Sequence, residues 1–414
     1  MIGAVRILVW VLLFCFAPSG CTRNEATPEE RARALLEKVP LVDGHNDLSW
    51  RFRPGAEGDR DRLDLRKEQP HLYTDIPRLE EGGLGGQFWS VFVPCSMKGD
   101  EAVRMALELF DVIHRMNRRY SDVFALALTA DDIDRIFRTG RIASLIGVEG
   151  GHAINNSLGT LRMFHRLGAR YMTLTHARNC GWADSATDGP GVGGLSAFGE
   201  KVILEMNRLG MLVDLSHVST STMVHALRVS RSPVIFSHSS ARALVDIERN
   251  VPDHVLDRVK ENQGLVMVTF VGSFVCSRER RHREDRARER DRLVRVHGGE
   301  KDRIRKGLEV WENTHPRPRA ALADVMDHID HIKNRIGVDH VGIGSDFEGT
   351  RSVPEGLEDV SKFKDLVAEM FRRGYTEEEA GKVAGLNLLR VLRAAEESAR
   401  DLQRAGSNDV RPGS

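Results

Sequence analysis

Eight short apolar runs recur along the chain, each closed by a turn carrying a polar residue and each followed by a helical pattern. The runs are LVDGHND (from Leu41), GGQFWSVFVP (Gly85 to Pro94), IASLIGVEG (Ile142 to Gly150), YMTLTH (Tyr171 to His176), MLVDLSH (Met211 to His217), PVIFSH (Pro233 to His238), GLVMVTF (Gly264 to Phe270) and HVGIGSD (His340 to Asp346). Helical stretches lie between them, as at Asp100 to Tyr120, Ser157 to Leu167, Gly199 to Leu209, Thr220 to Val229 and Ala320 to Ile336. Strands that are apolar on both faces and alternate with helices belong to a parallel sheet covered on both sides. Eight such units predict a closed (β/α)8, TIM-like barrel, and the 414 residues allow it as one large catalytic domain.

The polar residues say where the chemistry is. His45, Asp47, Glu149, His176, His217, His238 and Asp346 all fall at the C-terminal end of a predicted strand. In a barrel those ends meet at one mouth, where catalytic groups collect. A His-x-Asp tripeptide such as His45 and Asp47 is weak on its own, although residues i and i+2 of a strand share a face. Seven coincidences of position are hard to credit to packing. Imidazoles and carboxylates without a thiolate suit zinc or a similar divalent ion, and a carboxylate can bridge two ions. A barrel of the metal-dependent hydrolase type follows, with amide hydrolysis as its natural use.

Charge excludes some partners. Lys+Arg and Asp+Glu both number 60, so no global field draws the protein onto nucleic acid or an anionic membrane. From Arg278 to Arg292 eight arginines alternate with five acidic residues. The mixed signs read as a solvated helical insertion before the last strand, laced with i,i+3 and i,i+4 ion pairs. Residues 1–21 read as a signal peptide, with Arg6, an apolar run from Ile7 to Ala17 and a PSGC ending. Ser19 and Gly20 before Cys21 resemble a bacterial lipoprotein cleavage box, although Pro18 departs from it. Export to the cell envelope and a lipid anchor at Cys21 are therefore expected. A polar linker over 22–35 with a helical lead-in at Pro28 to Lys38, a catalytic domain over 36–398 and a flexible tail over 399–414 complete the organisation. In an oxidising compartment Cys95, Cys180 and Cys276 could pair, in combinations that spacing does not decide, and no CxxC pair offers a cysteine zinc site.

Several linked words carry a resemblance: DGHNDL, GGQFWSVFVPC, IGVEGGHAI, YMTLTHARN, VDLSHVS, PVIFSHSSAR, RNVPD, VGIGSDFEG and PEGLEDVSKF, in order from Leu36 to Leu392. Together they resemble the membrane dipeptidase (renal dipeptidase) family of zinc metallopeptidases, within the amidohydrolase-like barrels. The resemblance implies two zinc ions per chain, the first held by His45 and Asp47 and the second by His217 and His238, bridged by Glu149 and a hydroxide. It implies that His176 steadies the scissile carbonyl, that Arg249 clamps the substrate carboxylate, and that Asp346 shuttles a proton to the leaving amine and contacts the free amino group. Small dipeptides are the implied substrates, with a D-residue at the C-terminal side as an open question, and a homodimer is a family expectation only. Val271 and Phe274 stand where some relatives carry tyrosines, which bears on side-chain selectivity.

Other residues read more plainly. Asp43 shares the strand face of His45 and is either a partner that orients it or a buried carboxylate satisfied by backbone donors. His152 lies in a loop beyond Glu149, and Asp214 is structural, being on the opposite strand parity from His217. Trp50, Trp89 and Trp182 are core or pocket wall, His328 and His331 are surface or packing residues, and Glu355 and Glu358 have no inferable role. A competing enzyme would keep the metals and cleave a cyclic amide, lactam or ester, for which Arg249 would be dispensable. A surface lipoprotein using the fold as a binding module is the third alternative, against which the full ligand set argues.

Overall fold

A computed structural model describes residues 26–53 and 63–408. Nine parallel strands form its sheet: β1 Leu41–Asn46, β2 Leu84–Phe92, β3 Phe124–Leu126, β4 Ile142–Glu149, β5 Ala169–Thr173, β6 Leu212–Asp214, β7 Ile235–Phe236, β8 Leu265–Val268 and β9 Val341–Ile343. The order is β2-β1-β9-β8-β7-β6-β5-β4, and β2 pairs with β4 along its length, from Gly86 against Ala143 to Phe92 against Glu149, closing eight strands into a barrel. The predicted (β/α)8 architecture is therefore observed. The ninth strand, β3, was not expected. It pairs only with the first residues of β4, on the side that β5 takes over from Ile146 onward.

A single apolar cluster unites Val42, Phe88, Leu145, Tyr171, Leu212, Ile235 and Met267, from seven different strands. Only the lumen can bring such residues together. The long helix Asn387–Asn408 adds Leu388, Leu389, Val391 and Leu392 to that cluster and so closes the barrel floor. Gly147 makes room in the lumen, because a Cβ there would lie 2.0 Å from the Tyr171 ring. The helices begin where Ser or Thr can cap them: Thr129, Ser157, Ser196 and Ser219 each accept a backbone N–H three residues on. Each such cap is worth about 1 kcal/mol.

The domain reaches further at both ends than its sequence suggests. The helix Pro28–Leu36, capped by Thr27 and Glu30, buries Ala32, Leu35 and Leu36 against the helix Phe363–Arg372, so most of the expected linker belongs to the barrel. The expected tail continues the last helix to Asn408, with Ala399 buried and Gln403 donating to Arg208 O at 2.7 Å. Hydrophobic spacing in the sequence thins out there because only one edge of that helix touches the body. The segment expected to be a signal peptide, with Cys21, lies outside the described residues. Among the described residues no helix is long and apolar enough to cross a membrane.

The charged insertion is a pair of helices, Ser277–His297 and Lys301–Thr314, between β8 and β9. Its ion pairs include Arg280 with Glu284 at 2.6 Å and Arg292 with Glu289 at 2.6 Å, while Arg286 and Glu312 join the two helices at 2.5 Å. The spacing rule that predicted these pairs holds.

Candidate metal centre

His45 lies in the lumen near the end of β1, fully buried. Its Nε2 is 3.4 Å from Asp47 Oδ2 and 3.6 Å from Glu149 Oε2. On the other side of the ring, Nδ1 is 2.8 Å from the Tyr171 hydroxyl, which donates to Gly44 O at 3.2 Å. With that hydroxyl proton used, the oxygen accepts from Nδ1, and the lone pair of His45 is left on Nε2. Among the described residues, Nε2 and Asp47 Oδ1 are buried acceptors without a hydrogen-bond partner. A buried polar atom left in that state is costly, and a cation removes the cost. Burial pushes the His45 pKa down, yet Tyr171, Glu149 and Asp47 together carry it well above its ordinary value. The pocket thus draws in positive charge.

Strand parity placed His45 and Asp47 together by a route the backbone does not take. The strand stops at Asn46, and Asp47 opens the short helix Leu48–Arg51, its N–H held by Phe347 O at 2.9 Å. The strands expected to run to His176, His217 and Asp346 likewise end three residues early, at Thr173, Asp214 and Ile343. His217 and Asp346 sit at φ 66° and 62°, a left-handed conformation that non-glycine residues adopt at a cost of order 1–3 kcal/mol and that recurs at functional sites. A sequence pattern of apolar residues has no mark for such a turn.

Glu149, the last residue of β4, joins two groups of candidate ligands. Its Oε2 faces His45, and its Oε1 is 3.0 Å from His217 Nε2, 3.5 Å from His238 Nε2 and 4.0 Å from His176 Nε2. Burial would raise its pKa, but His45, His176 and the hydrogen bond from His217 hold it well below the usual range. The Nε2 atoms of His217 and His238 are 2.8 Å apart, and burial keeps both rings neutral. Donor atoms of His45, Glu149 and His238, of Glu149, His176 and His217, and of His45, Asp47 and Asp346 each gather within 4.8 Å. One carboxylate, one oxygen toward each group, has the form of a bridge between two cations.

Family comparison agrees with this geometry: the model for "Membrane dipeptidase (Peptidase family M19)" matches residues 29–406. The chain belongs to the membrane dipeptidase family. It is similar to Dipeptidase verJ of Clonostachys rogersoniana, 42% identical over 387 residues that cover 91% of this chain and 89% of that protein. Dipeptidase ataJ of Aspergillus terreus is 40% identical over 408 residues, covering 92% and 90%. Among solved structures, the probable dipeptidase PvdM from Pseudomonas aeruginosa superposes with a TM-score of 0.79 at 25% identity, over 90% of this chain and 99% of that one. A metallopeptidase from Rhodobacter sphaeroides, liganded with a phosphinate mimic of the dipeptide L-Ala-D-Ala, gives 0.70 at 25% identity, over 86% and 99%. The protein is thus a hydrolase of the metallo-dipeptidase class.

In this dipeptidase Asp346 lies beside the cluster, its N–H on His45 O at 3.1 Å. Burial, with Asp47 and Glu149 adding to it and His45 and Arg249 opposing, pushes its carboxyl up to about 8. Gly349 leaves space for it: a Cβ there would lie 2.3 Å from both Asp346 Oδ1 and Asp47 Oδ2. Arg249 is buried, with Nη1 donating to Ser239 Oγ and Nη2 to His238 O, both at 3.2 Å, and Nε unpartnered. Burial lowers its pKa to about 10, which leaves it a cation at neutral pH. His176 is also held neutral by burial, which outweighs the pull of Glu149. A cavity of about 770 Å³ opens beside it, lined by Cys95, Lys98, His152, Asn155, Arg178 and Asn179 among others.

Two supports of the dipeptidase site escaped the sequence. Asp214 does not face the cluster, but it accepts from Ser237 Oγ at 2.6 Å, and Ser237 Oγ is 2.8 Å from His238 Nδ1. The hydroxyl proton being spent on Asp214, His238 donates from Nδ1 and presents its lone pair from Nε2. Tyr171 does the same for His45; its place in an apolar strand gave no signal. Asp43 resolves the other way: Ser345 N–H and Oγ and the Gln87 amide satisfy it at 2.6, 2.7 and 2.8 Å. His152 faces Pro94 O at 3.3 Å, away from the ligands. Trp89 and Trp182 are core, and Trp50 packs on Phe92. His328 is a packing residue and His331 pairs with Asp253 at 2.9 Å, while Glu358 accepts from Gly356 N–H and Glu355 lies 3.5 Å from Arg319. Cys95, Cys180 and Cys276 are free thiols.

Proposed function

We propose that the chain is a zinc-dependent dipeptidase that holds two zinc ions, one with His45 and Asp47, the other with His217 and His238, and Glu149 shared between them. The observation that carries this reading is Glu149, whose Oε2 is 3.6 Å from His45 Nε2 while its Oε1 is 3.0 and 3.5 Å from the Nε2 atoms of His217 and His238, together with the buried atoms of His45 and Asp47 that lack a partner among the described residues. When bound, the metal pair supplies a water activated as hydroxide and a Lewis-acid pull on the peptide carbonyl. Arg249 binds the free carboxylate of the dipeptide; among the described residues no carboxylate lies within 4 Å of its buried guanidinium, and its Nε lacks a partner. This favours a dipeptide over a neutral lactam or ester. His176 donates from Nε2 to the carbonyl oxygen as charge develops there. Asp346, which shares the cluster with His45 and Asp47, takes the proton of the attacking water, passes it to the leaving amine and receives the substrate's amino group. Acceptance of a D-residue at the C-terminal side is supported by the ligand of the Rhodobacter relative.

The test is turnover of a panel of L,L- and L,D-dipeptides by zinc-loaded and chelated protein, with zinc counted per chain. Two zinc ions per chain and activity lost on chelation are expected. Arg249→Ala should lower kcat/KM for dipeptides by roughly a hundredfold and leave hydrolysis of neutral amides unaffected. Asp346→Asn should retain zinc and lose turnover. Full activity in either variant eliminates the role assigned to that residue.

The sequence before the described residues supports export, lipidation at Cys21 and an envelope location, which mass spectrometry of the mature N-terminus would test. A homodimer, expected from the family alone, would be tested by sedimentation.

A further inference from the structure

We propose that Cys95 is a positioning residue for the reaction: its thiol donates to His176 Nδ1 and so keeps the ring proton on Nε2, the nitrogen that faces the metal centre. The inference rests on the reading of His176 as the hydrogen-bond donor to the scissile carbonyl. Cys95 follows β2 by three residues, and its Sγ is 3.5 Å from His176 Nδ1. Among the described residues it is the one hydrogen-bond partner of that nitrogen. The ring plane is fixed from both sides, by Phe92 edge-on at 4.8 Å and by His217 at 4.4 Å.

Two tautomers are compatible with the 3.5 Å contact, and the backbone beside the sulfur chooses between them: the N–H groups of Arg178 and Ala177 already serve it as donors, so toward Nδ1 the thiol donates. His176 Nε2 lies 4.0 Å from Glu149 Oε1. With the proton on Nε2, an N–H faces it, and Nδ1 becomes the acceptor that a thiol can serve. Burial raises the thiol pKa, despite the N–H groups of Arg178 and Ala177 beside the sulfur, so the proton to be donated stays on sulfur. A free Cys95 therefore presents His176 as a donor where a carbonyl oxygen would gain charge.

The experiment uses the full-length, zinc-loaded protein labelled with ¹⁵N-histidine, with long-range ¹H–¹⁵N correlations to read which nitrogen of His176 carries the proton. His176→Ala assigns the signal. The native protein should show the Nε2–H form. Cys95→Ala should shift His176 toward a mixture and lower kcat by roughly tenfold with KM and zinc content little changed, and Cys95→Ser, which keeps a donor, should restore both. An Nδ1–H signal in the native protein, or an unchanged tautomer in Cys95→Ala, overturns the proposal. If Cys95→Ala does not fold, the native spectrum still decides. Full activity in His176→Ala would refute the role of His176 itself, and it would do so without touching the tautomer measurement.

Discussion

The residues around the cluster act mostly through one another. Tyr171→Phe removes the oxygen that orients His45 and should weaken zinc binding by roughly 10–100-fold while the barrel remains folded, as competition with a chelator would show. An unchanged zinc affinity would mean that burial and the His238 ring 4.0 Å away hold the His45 ring without help. His328 gives a pH dependence from outside the candidate metal centre. It accepts Ala241 N–H at Nδ1 and faces Val275 O with Nε2, and burial pushes its pKa down to about 4. Between that value and an unfolded pKa of about 6.5, the unfolded chain binds a proton that the folded one refuses, so stability falls as pH falls through this window. The loss is on the order of 3 kcal/mol at its largest. In metal-free protein, His328→Gln should melt with a smaller difference between pH 5 and pH 7 than the native chain. Equal differences would show that His328 takes its proton while folded.

Turns after the strands, more than the strands, place the ligands. Gly349→Ala puts a methyl against Asp346 and Asp47, and should lower both zinc content and turnover while leaving far-UV circular dichroism unchanged; retention of two zinc ions would show that the turn yields. The strands themselves could be read in the sequence because each is an apolar run of fixed phase, and the same is true of helices with a Ser or Thr cap. The left-handed turns at His217 and Asp346 could not, since their conformation is imposed by contacts from other strands. Nor could β3, whose three residues FAL are too few to show a period. Asp214 reads as structural in the sequence, and its influence on His238 through Ser237 is hidden there because a hydrogen bond between neighbouring strands leaves no trace in spacing.

For the molecule as a whole, the ions and the fold should stabilise one another. A cation that binds only the folded chain adds roughly 4 kcal/mol at a thousandfold excess over its dissociation constant, so calorimetry should show a higher melting temperature with zinc than after chelation. Identical midpoints would count against a cation at these residues. Barrel and candidate site are legible together because in six of the eight units the polar residues fall at the same end, a regularity that packing alone has no reason to produce. The closed floor has a further effect on traffic. With the last helix packed beneath the lumen, substrate, products, water and metal all share one doorway at the strand ends. Whatever occupies that doorway also stands guard over the ions, and a slowly leaving product would shield the enzyme from chelators as surely as it would delay the next dipeptide.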